Sequence, residues 1–237
     1  PAFLTQAFRA AGAIDADNVV TAITESKEVY GGSTGKKLLL VVEYLNPHED
    51  LHTQLFVKFS RAFDDPHRDA ARVQMELEVH FALLSRDPAF PIAVPACYFS
   101  DFQQSSGTGI LITQCIPYGV DGVEQQYDKG QDHTMPDQLG HYRALILALA
   151  RLAGTQKAGK LSALVEQYFP FEPGKLVVSA REPYSPEQIS RRVQKLAVFT
   201  ADYPQLFPQH LRSDAFLQQL ADQAPRVQKL AGAVQHM

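Results

Sequence analysis

Cysteine is nearly absent from this chain of 237 residues: two occur, Cys97 in VPACYF and Cys115 in LITQCI. Two cysteines make no disulfide framework, which favours a reducing cytoplasm. They could pair with each other, but in apolar segments each reads as a small buried hydrophobe on a strand. Excess positive charge is also missing. With 22 Lys and Arg against 26 Asp and Glu, the net charge of −4 offers no electrostatic footprint for nucleic acid or an anionic membrane. Basic pairs such as Lys36-Lys37 and Arg191-Arg192 stand alone and read as solvated. No run of eighteen apolar residues occurs. The opening PAFLTQAFRAAGAI is too polar and too lightly charged for a signal peptide, and its Phe3, Leu4, Phe8 and Ala11 predict an amphipathic helix. No internal repeat or low-complexity tract is found. What remains has the makings of an ordinary globular protein: 45% hydrophobic residues, and length for one large domain or two small ones.

The first half is β-rich. VVTAITESKEVYGGSTGKKLLLVVEYL reads as two strands joined at a glycine turn, and TQLFVKFS, Thr53–Ser60, as a third. Asp65-Pro66 predicts an N-cap and N1 proline for a helix over 66–86, with Val73, Leu77, Phe81 and Leu84 on its apolar stripe. AVPACYFSDFQQSSGTGILITQCI predicts two further strands around a polar turn at Gln103–Gly109. From Asp137 the chain is helical, with further helix starts at Ser185-Pro186-Glu187 and Ser213-Asp214. Two lobes follow, 1–118 and 119–237, with a hinge near residue 115.

The stretch GGSTGKK, Gly31 to Lys37, has the composition of a phosphate cradle but not the spacing of a Walker A loop. Gly31 and Gly35 are four apart, Lys36 is followed by Lys37 rather than a hydroxyl residue, and a strand follows instead of a helix. Ser33 and Thr34 could aim hydroxyls at a phosphate or merely stabilise the turn. Lys58 is the one charge in the apolar strand LFVKF, on the face of Phe56 and opposite Leu55, Val57 and Phe59. It is either an edge lysine that snorkels to water or a buried ammonium that needs a carboxylate and an anion. Glu76 and Glu78 in VQMELEVHF are either solvated or, for Glu78, at the edge of the packed helix face. Glycine turn, strand lysine and helix glutamate stand in the order of a kinase nucleotide lobe: backbone N–H groups over the phosphates, a lysine on the α- and β-phosphates, a glutamate placing the lysine. The lysine expected to matter is therefore Lys58 and not Lys36 or Lys37.

On GGSTGKK, LFVKFSR, MELEVHFALLSRD, VPACYFSD, GILITQCIPYG and HYRALILALARLAGTQKAG, the chain resembles the aminoglycoside phosphotransferase-like and choline-kinase-like small-molecule kinases, nearest to bacterial members related to ecdysteroid kinases. The resemblance covers most of residues 1–160. It implies an α+β, protein-kinase-like fold: a five-stranded antiparallel N-terminal lobe with one inserted helix, followed by part of a mainly helical C-terminal lobe. It implies ATP and Mg2+ as cofactors and a small-molecule hydroxyl as acceptor, with no nucleic acid or membrane partner. Gly31, Gly32, Ser33, Thr34 and Gly35 would cover the phosphates, Lys58 would contact them, and Glu78 would hold Lys58. Thr113, Gln114, Cys115 and Ile116 would form the hinge whose backbone reads adenine.

The family also needs His-x-Asp-x-x-x-x-Asn and a later Asp for magnesium. His48 has Asp50 but Leu55, His67 has Asp69 but Gln74, and His133, His141, His210 and His236 lack the Asp. The expectation is a fragment that ends near where this loop would begin, so no general base and no metal ligand is assigned. The alternative is a non-catalytic, pseudokinase-like nucleotide-binding module. A remote third reading is a zinc metallohydrolase through HEDLH, His48–His52, which requires both imidazoles on one helix face and a third ligand.

Overall fold

The computed structural model describes residues 1–30, 35–128, 130–161, 163–170 and 185–223. It is α+β. Five strands, β1 (Val20–Val29), β2 (Lys36–Tyr44), β3 (Gln54–Phe59), β4 (Cys97–Gln103) and β5 (Thr108–Gln114), form one antiparallel sheet in the order β1-β2-β3-β5-β4. Helix α1 (Ala2–Ala10) precedes the sheet, and α2 (Arg68–Leu84) lies between β3 and β4. The α2 connection carries the chain past the β5 position to the sheet edge, and the β4–β5 hairpin returns it beside β3. β3 is therefore the central strand.

Alternation sorts the strands onto two faces. One face gathers Leu40, Val42 and Tyr44 of β2, Leu55 and Val57 of β3 and Ile112 of β5, and covers them with Leu4, Ala7 and Phe8 of α1. The Phe8 ring lies 5.1 Å from that of Tyr98, and the more exposed Phe3 meets Phe99 edge-on at 6.1 Å. The other face carries Phe56 and Lys58 and packs under α2.

α2 starts and turns differently from expectation. Its N-cap is His67, not Asp65. Asp65 instead accepts a hydrogen bond from the His67 N–H at 2.8 Å and pairs with Arg61 at 2.6 Å, so it closes the turn before the helix. The buried stripe is Ala71, Met75, Val79 and Ala82 with Leu84, while Val73 and Leu77 are 44% and 45% exposed. Two contacts explain this phase. Arg68 donates to the carbonyls of Arg61 and Ser106 and to Thr108 Oγ1, tying the first turn to the β4–β5 hairpin. Met75 fills the space over Gly109, where an added Cβ would sit 2.8 Å from its Cγ and 2.9 Å from Phe102. A small residue beneath and an anchored first turn outweigh the larger side chains at Val73 and Leu77.

The capping signals further along are realised. Asp137 accepts from the Gly140 N–H at 2.9 Å and opens α3 (Gln138–Lys157), which is followed by the short α4 (Leu164–Tyr168). Ser185 opens α5 (Pro186–Asp202) with a reciprocal capping box to Gln188 and Pro186 in the first turn, and Ser213 caps α6 (Asp214–Asp222). Ser185→Ala is expected to lower the stability of α5 by about 1 kcal/mol, seen as loss of helical signal at lower temperature. The chain divides into two compact units, Pro1–Pro170 and Phe171–Met237. The sheet unit thus includes α3 and α4, which the sequence pattern assigns to the second lobe. No helix among the described residues is long and apolar enough to cross a membrane.

Candidate functional site

Three neighbouring strands and α2 build the site. Register places Lys58 on β3 between Lys37 of β2 and Leu111 of β5, all three on the α2 face. A lysine on a central strand has neighbours on both sides and little exposed surface. Lys58 is accordingly 8% exposed, and the snorkelling edge lysine is excluded. Its Nζ donates to Glu78 Oε2. Glu78 can reach it because it lies three residues beyond Met75 and next to Val79, on the rim of the buried stripe, with its side chain 38% exposed. Glu76 points elsewhere and accepts from the Gln104 side chain on the β4–β5 turn.

The approach of β2 to β3 is unusually close at its start. A Cβ on Gly35 would lie 1.8 Å from the Phe59 carbonyl oxygen, so only glycine fits there. The Lys37 ammonium folds back to donate to the Gly35 carbonyl at 3.1 Å. Lys37 is held below the usual lysine pKa by burial first, then by the charges of Lys58 and Arg61, with Glu78 acting in the opposite sense. Lys36 faces the other way and pairs with Glu28 at 3.0 Å on exposed surface. Local spacing singles out Lys58 and not Lys37. The signal for Lys37 lay in the hairpin register, which sets it directly across from Lys58 on the same face.

The remaining residues are placed as follows. Gly31, Gly32, Ser33 and Thr34 lie outside the described residues. Thr113 and Gln114 end β5, and Cys115 and Ile116 follow it. Several backbone groups there are engaged within the chain: Gln114 N–H donates to Ala96 O at 2.8 Å, Cys115 N–H to Gln54 O at 3.0 Å, and Ile116 O accepts from Tyr118 N–H at 2.9 Å. Both cysteines are free, and burial pushes the Cys97 thiol pKa up. HEDLH is not helical. His48 pairs with Asp50 at 3.3 Å, whereas His52 Nδ1 lies 3.0 Å from the Tyr98 hydroxyl, so the shared helix face that the zinc pattern needs does not form.

A scan against protein-family models matches none, and a search of curated proteins finds no relative. The chemistry must be read from the side chains. The arrangement is a buried ammonium paired with one carboxylate, with a second lysine across the strand pair.

Proposed function

We propose that the unit of residues 1–170 grips the phosphate chain of ATP, and that the protein transfers the γ-phosphoryl group to a hydroxyl of a small molecule. The observation that carries this reading is the pair of Lys58 with Glu78, made from a central strand and the helix inserted after it. In kinases, a strand lysine held by a helix glutamate presents its ammonium to phosphate oxygens, and the transfer relies on positioning and charge neutralisation. The strand order, the insertion of α2 between β3 and β4, and the glycine-bearing β1–β2 connection support the same kinase-like reading. The end of β5, Thr113 to Ile116, is the strand exit that would border the adenine.

A polyanion fits the residues present, because Lys58 has its single described carboxylate partner on one side and Lys37 on the other. Magnesium, bound with ATP, would supply further neutralisation of phosphate charge, and no side chain of this chain is assigned to it. The 237 residues contain no His-x-Asp-x-x-x-x-Asn run, so the group that accepts the hydroxyl proton is not among the residues assigned.

The test is thermal unfolding with Mg-ATP against adenosine. A ligand present at one hundred times its Kd adds about 2.7 kcal/mol of stability. ATP is expected to raise the melting temperature and adenosine to raise it much less. No shift with ATP, and no heat on calorimetric titration, would end the reading. Binding without phosphoryl transfer to any hydroxyl acceptor would leave the non-catalytic nucleotide-binding module in its place.

A further inference from the structure

β1 lies at the edge of the sheet, paired with β2 on one side and with no described strand on the other. It is ten residues long and exposed from Ile23 to Glu28, so its outer row of N–H and C=O groups faces away from the protein. An edge strand that must stay single usually carries charges that keep a second strand away. The charges on β1 have a different pattern. Glu25 and Lys27 are opposite in sign and two residues apart, which puts both on one face of the sheet. The register with β2 runs without a shift from Glu25 to Val29 and sets Glu25 across from Val41 and Lys27 across from Leu39, so neither meets a charge there. Among the described residues neither forms an ion pair, whereas the nearby Glu28 is paired with Lys36 at 3.0 Å.

We infer that β1 pairs edge to edge with β1 of a second copy of this chain, antiparallel, about a two-fold axis at Ser26. In such a contact each copy offers the same patch, and residues equally far from the axis face each other. An axis at Ser26 sets Glu25 against Lys27 of the second copy and Lys27 against Glu25 of the second copy, two opposite-charge pairs from one register. Residues directly opposite in an antiparallel pair either both bond across the ladder or both turn away from it, so the axis passes through a residue and not between two. Moving it to Glu25, Lys27 or Glu28 sets like charges against each other, which destabilises the pairing. Within the regular stretch Glu25–Val29, Ser26 is the one axis that pairs opposite charges. The same charges that reject other registers therefore select this one. The sheet then runs through both copies. A strand edge alone covers less than the roughly 800 Å² per partner of a standard stable interface, so the association is weak and concentration-dependent.

The experiment follows molecular mass by analytical ultracentrifugation up to about 1 mM chain, the weak end of specific association. Wild type is expected to pass from monomer to dimer over this range. Glu25→Lys and Lys27→Glu each turn both ion pairs into like-charge pairs, and each should weaken the dimer about tenfold or more. The double variant Glu25→Lys/Lys27→Glu restores opposite charges and should dimerise as wild type does. Both positions are exposed, so all three variants should melt as wild type does, and a weakened dimer cannot be assigned to unfolding. Ser26→Cys puts a thiol on the axis, where antiparallel pairing brings the two Cα atoms about 4.5–5.5 Å apart, within disulfide reach. With oxidised glutathione as the oxidant it should cross-link the two copies, while wild type, which keeps Cys97 and Cys115, should not. A wild type that stays monomeric throughout overturns the inference. So does a dimer that the single variants leave intact, that the double variant fails to restore, or that Ser26→Cys does not cross-link.

Discussion

Replacing Lys58 by methionine is expected to weaken ATP binding by about a hundredfold or more and to leave the protein folded. Methionine keeps most of the aliphatic stem under α2 while removing the ammonium, so the packing loss is small. The partner left behind, Glu78, has a side chain 38% exposed, and water can replace the lost contact. The stability change should stay within about 1 kcal/mol. The binding loss is larger because a charge-assisted contact to phosphate in a half-buried site contributes about 3 kcal/mol, or roughly a hundredfold in Kd. Glu78→Ala should behave in the opposite proportion. It leaves an ammonium on a residue 8% exposed, facing Lys37, with its described partner gone. Removing one member of a buried pair is costly, and about 3 kcal/mol of destabilisation is expected. Chemical denaturation and ATP titration on the two variants separate these effects. Unchanged ATP affinity in Lys58→Met would remove Lys58 from the site, and a Glu78→Ala protein as stable as wild type would mean that the pair does not hold Lys58.

Much of this arrangement is legible in the sequence. The β-rich first half, the inserted helix and the caps at Asp137, Ser185 and Ser213 are local signals, and local signals survive folding. Lys58 stood out because a lone charge in an apolar strand is conspicuous. Whether β3 was central or at the edge was not legible, because that depends on β5 inserting beside β3, a pairing between segments some fifty residues apart. The centrality of β3 is what turns Lys58 from a surface lysine into a buried one.

The phase of α2 is not legible locally for a similar reason, although Leu84 of the expected stripe is buried. Val73 and Leu77 have the right spacing and size for a buried stripe, but the face is chosen by Gly109 beneath Met75 and by the Arg68 anchor on Ser106 and Thr108. These are tertiary contacts, and they override the helical pattern. Glu78 reached the rim of the buried face even so, since it neighbours both the expected stripe and the observed one. Lys37 does not stand out in the sequence, because its place beside Lys58 is set by cross-strand register and not by its own neighbours.

Gly35→Ala is expected to be the most damaging single methyl that can be added near the site. The new Cβ would lie 1.8 Å from the Phe59 carbonyl oxygen and 3.0 Å from its carbon. Both are backbone atoms of the central strand, so no side-chain rotation relieves the clash. The strands must part where Lys36 faces Phe59, and the next register pair is Lys37 with Lys58. About 3 kcal/mol of destabilisation is expected, in the range of severe backbone strain. On the proposed reading ATP affinity should fall with it, because Lys58 lies next to the strained residue Phe59. Gly12→Ala is the proper comparison. Gly12 has φ of +65° and nothing within 4 Å of an added Cβ, so only conformational strain of about 1 kcal/mol applies, far from the site. Denaturation midpoints and ATP titrations on both variants test the argument. If Gly35→Ala unfolds where Gly12→Ala does, β2 and β3 are not held together as tightly as the structure requires. If Gly35→Ala is destabilised yet binds ATP as wild type does, the start of the β2–β3 pair is not part of the ATP site.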